Sequence, residues 1–192
     1  MADSPIIIDD FMPQELFMPF AYTLMVSNHY APADCTVGPE EKDGSQDTFG
    51  ENLSDQKNLS EVMFQSVQYR REVNQQRLSD FYIQNEEGFD EIKKLLNIKN
   101  LFMVRTNCTV GQHKSHKGAW HTDLTGNHFF ENYKVAILYL NSNNGGTEFE
   151  DKTFVESKVN RCVICPVSMK HRQVWHTNAK LRYVMNINYE EN

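Results

Sequence analysis

The chain has 192 residues, of which 40% are hydrophobic and 23% charged. This length and composition suit one folded domain over residues 1–192 and exclude a disordered chain. The 26 acidic and 19 basic residues give a net charge of -7. Because binding to phosphate backbones needs a basic face, we expect no nucleic-acid partner.

The four cysteines are too few and too scattered for a disulfide framework. Cys162 and Cys165 form a C-x-x-C motif, but they lie inside an apolar run, which favours two buried strand thiols over a redox site. No stretch approaches 18 consecutive apolar residues, so we expect no membrane partner. Residues 1–4 lack the basic and apolar regions of a signal peptide, and we predict a reducing, cytoplasmic location.

The first half of the chain predicts a strand and two helices around a long polar segment. The apolar run 5–11 predicts a strand, and Pro13 can open a helix that Pro19 either kinks or delays. Segment 29–60 is rich in Gly, Pro, Asp, Ser and Glu, which predicts a long surface loop. A lid over a site and a flexible insertion are both open for this loop, and the type of structure over 61–84 is also left open.

A second helix is predicted over residues 87–98, because its apolar residues recur at helical spacing on one side. These residues are Phe89, Ile92, Leu95 and Leu96.

From residue 101 onward the pattern changes to strands. Apolar or alternating runs predict strands that begin at 101 and that span 133–140 and 161–165. Segments 169–175 and 181–189 flank the short turn Thr177-Asn178 and predict a hairpin. Helices followed by many strands indicate an α+β fold, with an antiparallel sandwich or barrel as its second half.

The sharpest local motif is His121-Thr122-Asp123. On an extended segment, residues i and i+2 point to the same face, so the imidazole and the carboxylate lie side by side. Such a pair can hold a divalent metal, although short H-x-D motifs also arise by chance.

Several further motifs follow this one in a fixed order. Tyr139-Leu140-Asn141 ends a strand, and Gly145 to Phe149 reads G-G-x-x-F. Pro166 is followed five residues later by His171, and Arg182 comes eleven residues after that histidine, directly before a tyrosine. With this ordered set, residues 100–189 resemble the 2-oxoglutarate- and Fe(II)-dependent oxygenases, and most closely their prolyl-4-hydroxylase-like branch, including small phage and bacterial members.

The resemblance implies a fold and a set of roles. The fold would be a double-stranded β-helix, a cupin-like jelly roll with the N-terminal helices packed on one sheet. His121, Asp123 and His171 would be the iron ligands and form the catalytic centre. Arg182 would bind the far carboxylate of 2-oxoglutarate, and Tyr139 would donate its hydroxyl to the same group. Asn107 would line the pocket of this cosubstrate.

The resemblance also implies the reaction. Fe(II), 2-oxoglutarate and O2 would be required, with ascorbate as an accessory reductant, and an unactivated C–H of a peptide or small molecule would be hydroxylated. Two histidines and one carboxylate suit non-haem Fe(II), and the planar guanidinium suits a carboxylate. A prolyl-like peptide residue or an amino acid is the expected substrate. Oxygenases of the dealkylating type that act on nucleic acids carry a second arginine in a C-terminal R-x(5)-R element. A DNA-repair role therefore fits poorly, because no arginine follows Arg182 in this sequence.

Alternative interpretations concern the other histidines and the reaction class. His176 competes with His171 as the third ligand, but its place at the predicted turn indicates a solvent-facing ring. His113 and His116, in a polar glycine-bounded segment, are expected to be exposed, with a second metal site as the alternative. A metal-binding barrel with non-redox chemistry and a non-catalytic binding module both stay open. The sequence predicts no oligomeric state.

Overall fold

The computed structural model describes residues 4–27, 30–33, 63–71, 76–123 and 132–192 of the chain. Three helices are described, namely α1 (Gln14–Ser27), α2 (Asp80–Gln84) and α3 (Glu86–Leu95). The strands are β1 (Ile6–Ile8), β2 (Ala31–Ala33), β3 (Met63–Arg71), β4 (Gln76–Leu78), β5 (Ile98–Val110), β6 (Tyr133–Tyr139), β7 (Gly146–Phe149), β8 (Phe154–Glu156), β9 (Arg161–Pro166), β10 (His171–Val174) and β11 (Leu181–Glu191).

The strands form two antiparallel sheets. The large sheet has the order β1-β9-β6-β11-β5-β3-β2, with β4 paired to β3, and the small sheet has the order β10-β7-β8. The predicted mixture of helices and antiparallel strands is therefore confirmed. Within the described residues the large sheet is open at both ends, so its strands do not close into a barrel.

The large sheet carries a different layer on each of its two faces. Strand β6 shows the division, because Ala136 and Leu138 belong to the apolar cluster that includes the helices, whereas Val135, Ile137 and Tyr139 belong to the cluster that includes the small sheet. A strand covered on both faces needs apolar residues at every position, which explains the continuous apolar run of this segment. The N-terminal helices thus pack on one side of the large sheet, as predicted.

The two longer helices form where the sequence predicts them, but α3 ends at Leu95 and not at the predicted residue 98, because Ile98 already begins β5. Helix α1 continues through Pro19, which neither delays nor ends it. Helix α3 buries Phe89 and Ile92, and Leu96 is buried directly after the helix ends. Leu95 is 40% exposed, because the helical period places it at the margin of the buried face.

The predicted hairpin of segments 169–175 and 181–189 is wrong. Strand β10 pairs with β7 in the small sheet, whereas β11 lies between β5 and β6 in the large sheet. The connection therefore crosses from one sheet to the other. Alternation along a strand shows which residues face the interior but does not identify the partner strand, so the short turn between the segments was misleading.

Some of the predictions concern residues that the structure does not describe. Most of the predicted loop 29–60 lies outside the described residues, as does Cys35, whereas segment 61–84 contributes β3, β4 and α2. Among the described helices, none has the length and apolar character needed to cross a membrane.

Candidate metal and cosubstrate site

Two histidines from distant parts of the chain meet through their backbones. The amide of His121 donates to the carbonyl of His171 at 3.0 Å, and the amide of His171 donates to the carbonyl of His121 at 2.9 Å. This reciprocal antiparallel pair brings the ring centroids to 4.7 Å. Strand β10 positions His171 by pairing it with Phe149 of β7, so the small sheet carries one histidine and anchors the other.

Asp123 lies beside both imidazoles and is held on both of its oxygens. Its Oδ1 atom is 3.8 Å from Nε2 of His121 and 3.6 Å from Nε2 of His171. Arg105 donates from Nη2 to Oδ1 at 2.8 Å, and Asn186 donates from Nδ2 to Oδ2 at 2.9 Å. Burial raises the pKa of Asp123, but the charge of Arg105 together with the contacts to His171 and His121 outweighs this effect and holds the pKa well below its usual range.

Both histidines present the same ring nitrogen to Asp123. Nδ1 of His121 lies 3.2 Å from the carbonyl of Ala119, and Nδ1 of His171 lies 3.3 Å from the carbonyl of Met169. A proton placed on each Nδ1 by these carbonyls leaves the Nε2 lone pairs facing the carboxylate. Burial, together with the charge of the neighbouring His171, lowers the pKa of His121 to about 4, which keeps its ring neutral at physiological pH.

The donor set fits a divalent transition metal. The ligand atoms of His121, Asp123 and His171 all lie within 4.8 Å of one another. Nε2 of His171 is buried and has no hydrogen-bond partner within the described part of the chain. Two neutral imidazoles and one carboxylate are the ligands of the facial triad that leaves positions open on Fe(II). The hydrogen bonds of the two Nδ1 atoms to backbone carbonyls, and those that the carboxylate accepts, are of the kind that orients metal ligands.

Arg182 lies on β11, and its guanidinium is buried in the cavity that His121 and His171 also line. Its Nε donates to Oγ of Ser157 at 2.7 Å, and its Nη2 donates to the carbonyl of Gly146 at 3.3 Å. Burial lowers the pKa of Arg182, and the nearby Tyr139 ring and hydroxyl oppose this effect. Among the described residues, Arg105, Arg161 and Arg172 form ion pairs with carboxylates, but Arg182 does not. The guanidinium is therefore a buried charge with no carboxylate partner in the described part of the chain, which suits an anionic ligand.

Tyr139 lies behind this guanidinium. The side chain is fully buried, its hydroxyl donates to Oγ1 of Thr147 at 2.9 Å, and its ring lies 5.5 Å from the guanidinium carbon of Arg182. The wall of the cavity includes Thr147, so Tyr139 reaches that wall through a hydroxyl relay. Its predicted bond to the cosubstrate stays a prediction.

One cavity is lined by His121, His171 and Arg182. Its empty volume is about 640 Å³, including the part that is open to solvent. Its wall also includes Asn107, Ile137, Gln173, Trp175 and Val184. Oδ1 of Asn107 is buried in that wall without a partner in the described part of the chain. The predicted placement of Asn107 beside the cosubstrate is therefore compatible with the structure.

Sequence reasoning missed two side chains of this site, Arg105 and Asn186. Arg105 lies two residues before Asn107 on β5 and faces the same cavity, so strand alternation from Asn107 was a usable signal. Asn186 likewise follows Arg182 by four residues on one face of β11. Their bonds to Asp123 join separate strands, and no local motif reports such contacts.

The competing histidines lie elsewhere. The structure places His176 fully buried, so its predicted solvent exposure is wrong. The crossing between sheets carries this residue into the interior beside Gly145 and Gly111, with its ring outside the metal trio. His113 is exposed as predicted, whereas His116 is only partly so, because its ring stacks on Trp175 at 4.3 Å.

Comparisons with known proteins show the fold. No family model and no curated protein matches the sequence. A prolyl-4-hydroxylase from Pseudomonas putida is similar in structure, with a TM-score of 0.57, 12% identity and coverage of 98% of this chain and 92% of the other. A prolyl hydroxylase from Trichoplax adhaerens, solved with a peptide of hypoxia inducible factor, gives a TM-score of 0.57 at 13% identity and covers 97% of this chain and 83% of the other.

A third similar structure has a different activity. The epimerase SnoN, in complex with Fe3+, alpha ketoglutarate and nogalamycin RO, gives a TM-score of 0.59 at 9% identity and covers 99% of this chain and 80% of the other. At these identities the comparisons establish a shared fold. They bear out the resemblance to the 2-oxoglutarate oxygenases, including the prolyl-4-hydroxylase-like branch, at that level.

Proposed function

We propose that this chain is an Fe(II)- and 2-oxoglutarate-dependent dioxygenase that hydroxylates an unactivated C–H. The balanced reaction converts R–H, 2-oxoglutarate and O2 into R–OH, succinate and CO2. One observation carries the proposal: two histidines of a His-Asp-His trio line one cavity together with a buried arginine that has no carboxylate counter-ion within the described residues. A site that only bound a metal would have no use for that arginine.

The roles of the side chains follow from their contacts. His121, Asp123 and His171 would hold the metal, while the carbonyls of Ala119 and Met169 fix the two rings. When bound, the metal and the 2-oxo acid supply the oxidising chemistry. Arg182 would orient the cosubstrate through a bidentate carboxylate pair, because Ser157 and Gly146 hold its guanidinium in place.

The finer assignments belong to the same proposal. The whole chain 1–192 would form one domain whose two sheets correspond to a double-stranded β-helix. Tyr139 and Asn107 would contact the cosubstrate, and ascorbate would maintain the reduced metal. A peptidyl, prolyl-like residue or an amino acid would be the substrate, and the peptide bound by the Trichoplax enzyme supports the first of these. The cytoplasmic location and the absence of a nucleic-acid partner stay predictions.

Succinate formation tests the proposal. Purified protein would be incubated with Fe(II), ascorbate and 2-oxoglutarate, with and without panels of peptides and amino acids. We expect succinate from the wild type and none above background from His121→Ala. Arg182→Met should require at least tenfold more 2-oxoglutarate, because it removes a charge-assisted pair.

A matched control is Arg77→Met, since Arg77 is an exposed arginine on β4. This variant should form succinate like the wild type. If the wild type forms no more succinate than His121→Ala with every candidate substrate, the proposed function is wrong.

A second candidate function is stereochemical inversion at the same metal site, which the similarity to the SnoN epimerase supports. The mass of the product separates the two. Hydroxylation adds one oxygen atom to the substrate, whereas epimerisation leaves its mass unchanged.

A further inference from the structure

We propose that Arg105 binds a carboxylate of the substrate, so that the enzyme selects anionic substrates. The inference rests on the proposed function and narrows its substrate class. Arg105 lies on β5, and its side chain is only 14% exposed. It lines the same cavity as Arg182. The cavity therefore contains two guanidinium groups, of which the cosubstrate requires one.

The two arginines stand at different levels of the cavity. Arg105 is opposite Asn186 on β11, which lies four residues from Arg182 on the same strand. Four residues of strand place the two backbone levels roughly 13 Å apart. Arg105 is at the level of the metal trio, where it contacts Asp123, and Arg182 is at the level of Ser157 and Gly146. One guanidinium thus lies where a substrate must approach the metal.

Arg105 also has hydrogen-bonding capacity that the described residues leave unused. Its Nη2 donates to Asp123, but its Nε is buried and without a hydrogen-bond partner in the part of the chain that the structure describes. A buried N–H donor without an acceptor is unfavourable, and an arginine fork favours a carboxylate as its acceptor. A ligand oxygen beside the metal would satisfy this donor.

The charges of the loaded site point to the same ligand. Arg105 and Arg182 contribute two positive charges, Asp123 as a metal ligand contributes one negative charge, and metal-bound imidazoles are neutral. A divalent metal adds two positive charges, and 2-oxoglutarate adds two negative ones. One positive charge is left among these groups, and buried charges are normally paired. A substrate with one carboxylate balances it, whereas a neutral peptide residue does not.

A role of Arg105 as counter-ion of Asp123 alone explains less. Asn186 already holds the other oxygen of Asp123, and a bound metal would itself pair with the carboxylate. That role also leaves the buried Nε without a function. The group that Arg105 would bind is a carboxylate. A free amino acid could supply it, and so could an acidic side chain or the C-terminus of a peptide.

Acetate is the probe for the first test. Protein loaded with Mn(II) and saturated with 2-oxoglutarate under anaerobic conditions would be titrated with acetate, and the paramagnetic relaxation of the acetate protons would be measured by NMR. We expect a saturable effect in the wild type. Arg105→Met should weaken it by about tenfold to a hundredfold, the range of charge-assisted hydrogen bonds, and Arg105→Lys should restore part of it.

Controls keep this result separate from the proposed function. Mn(II) and 2-oxoglutarate affinities would be measured for every variant, and Arg77→Met should bind acetate like the wild type. If the wild type binds neither Mn(II) nor 2-oxoglutarate, the proposed function fails. If it binds both but shows no saturable acetate effect, or if the effect is unchanged in Arg105→Met, the assignment of Arg105 alone is wrong.

Substrate-stimulated succinate formation distinguishes the two sources of the carboxylate. Free L-amino acids would be compared with their amides, and terminally blocked peptides containing Asp or Glu with the matching Asn or Gln peptides. Stimulation by the acid member of either pair, lost in Arg105→Met, supports the inference and identifies the source. Stronger stimulation by the neutral members would overturn it.

Discussion

At the scale of single residues, the site depends on how Asp123 is held. Its two oxygens accept from Arg105 and Asn186, and its side chain is fully buried. A buried carboxylate with two strong donors is fixed before any metal binds, which favours a tight site. The same pairing makes the aspartate and the arginine depend on each other energetically.

We therefore expect Asp123→Ala to lower the free energy of unfolding of the metal-free protein by about 3 kcal/mol, because it leaves Arg105 buried without its partner. Urea denaturation followed by circular dichroism measures this quantity. The double variant Asp123→Ala/Arg105→Met should lose less than the sum of the two single variants. Additive losses would show that the pair is not coupled.

Residue-level prediction succeeded where a motif was local and failed where a contact joined distant strands. His121, Asp123, His171 and Arg182 were identified from ordered motifs and a family resemblance. The structure places Asp123 beside the two histidines, and these histidines line one cavity with Arg182. Arg105 belongs to no motif, since its partner Asp123 is 18 residues away on another segment. Its role becomes visible only when the strands are assembled.

At the scale of secondary-structure elements, the C-x-x-C segment shows how a strand can resemble a redox motif. Cys162 and Cys165 lie on β9 and belong to the two different apolar clusters, one on each face of the large sheet. Their side chains are three residues apart on a strand and point to opposite faces. Burial raises the pKa of both thiols, that of Cys165 to about 12.

We expect neither thiol to react with a maleimide or an aromatic disulfide in the folded protein, because the thiolate is the reactive form. The Cys35→Ser variant removes the cysteine outside the described residues and simplifies the measurement by mass spectrometry. Both thiols should react after unfolding in guanidinium chloride. Rapid labelling of Cys162 or Cys165 in the folded state would contradict their buried placement on β9.

The pairing of strands was the least predictable property of the elements. The existence of β5, β6, β9 and β11 followed from their apolar patterns, and α3 followed from its helical period. Strands β10 and β11 looked like a hairpin but belong to different sheets. Partner choice is determined by long-range packing, which alternation in a single segment does not encode.

At the scale of the whole molecule, the layers explain why the site lies where it does. Helices cover one face of the large sheet, and the small sheet covers part of the other. The cavity opens on this second side, with the candidate metal ligands on β10 and before β6 and with Arg182 on β11. The connection from β10 to β11 passes from the small sheet to the large sheet, and it therefore places His171 and Arg182 on opposite walls of the cavity.

The charge of the molecule contrasts with that of its cavity. The chain carries a net charge of -7, yet Arg105 and Arg182 both line the cavity. A concentration of positive charge inside an acidic protein favours small anions, which agrees with the proposed dicarboxylate cosubstrate. The composition gives the net charge, but the location of the two arginines could be seen only in the assembled sheets.

An anaerobic titration of the Fe(II)-loaded protein with 2-oxoglutarate tests the central claim most directly, with visible absorption as the readout for chelation of the 2-oxo acid to the metal. The wild type should develop a saturable charge-transfer band. Asp123→Ala should give none, and Arg182→Met should give the band only at much higher 2-oxoglutarate concentrations. No band in the folded wild type, or the same titration curve in Asp123→Ala, would contradict the assignment of this cavity as a metal and cosubstrate site.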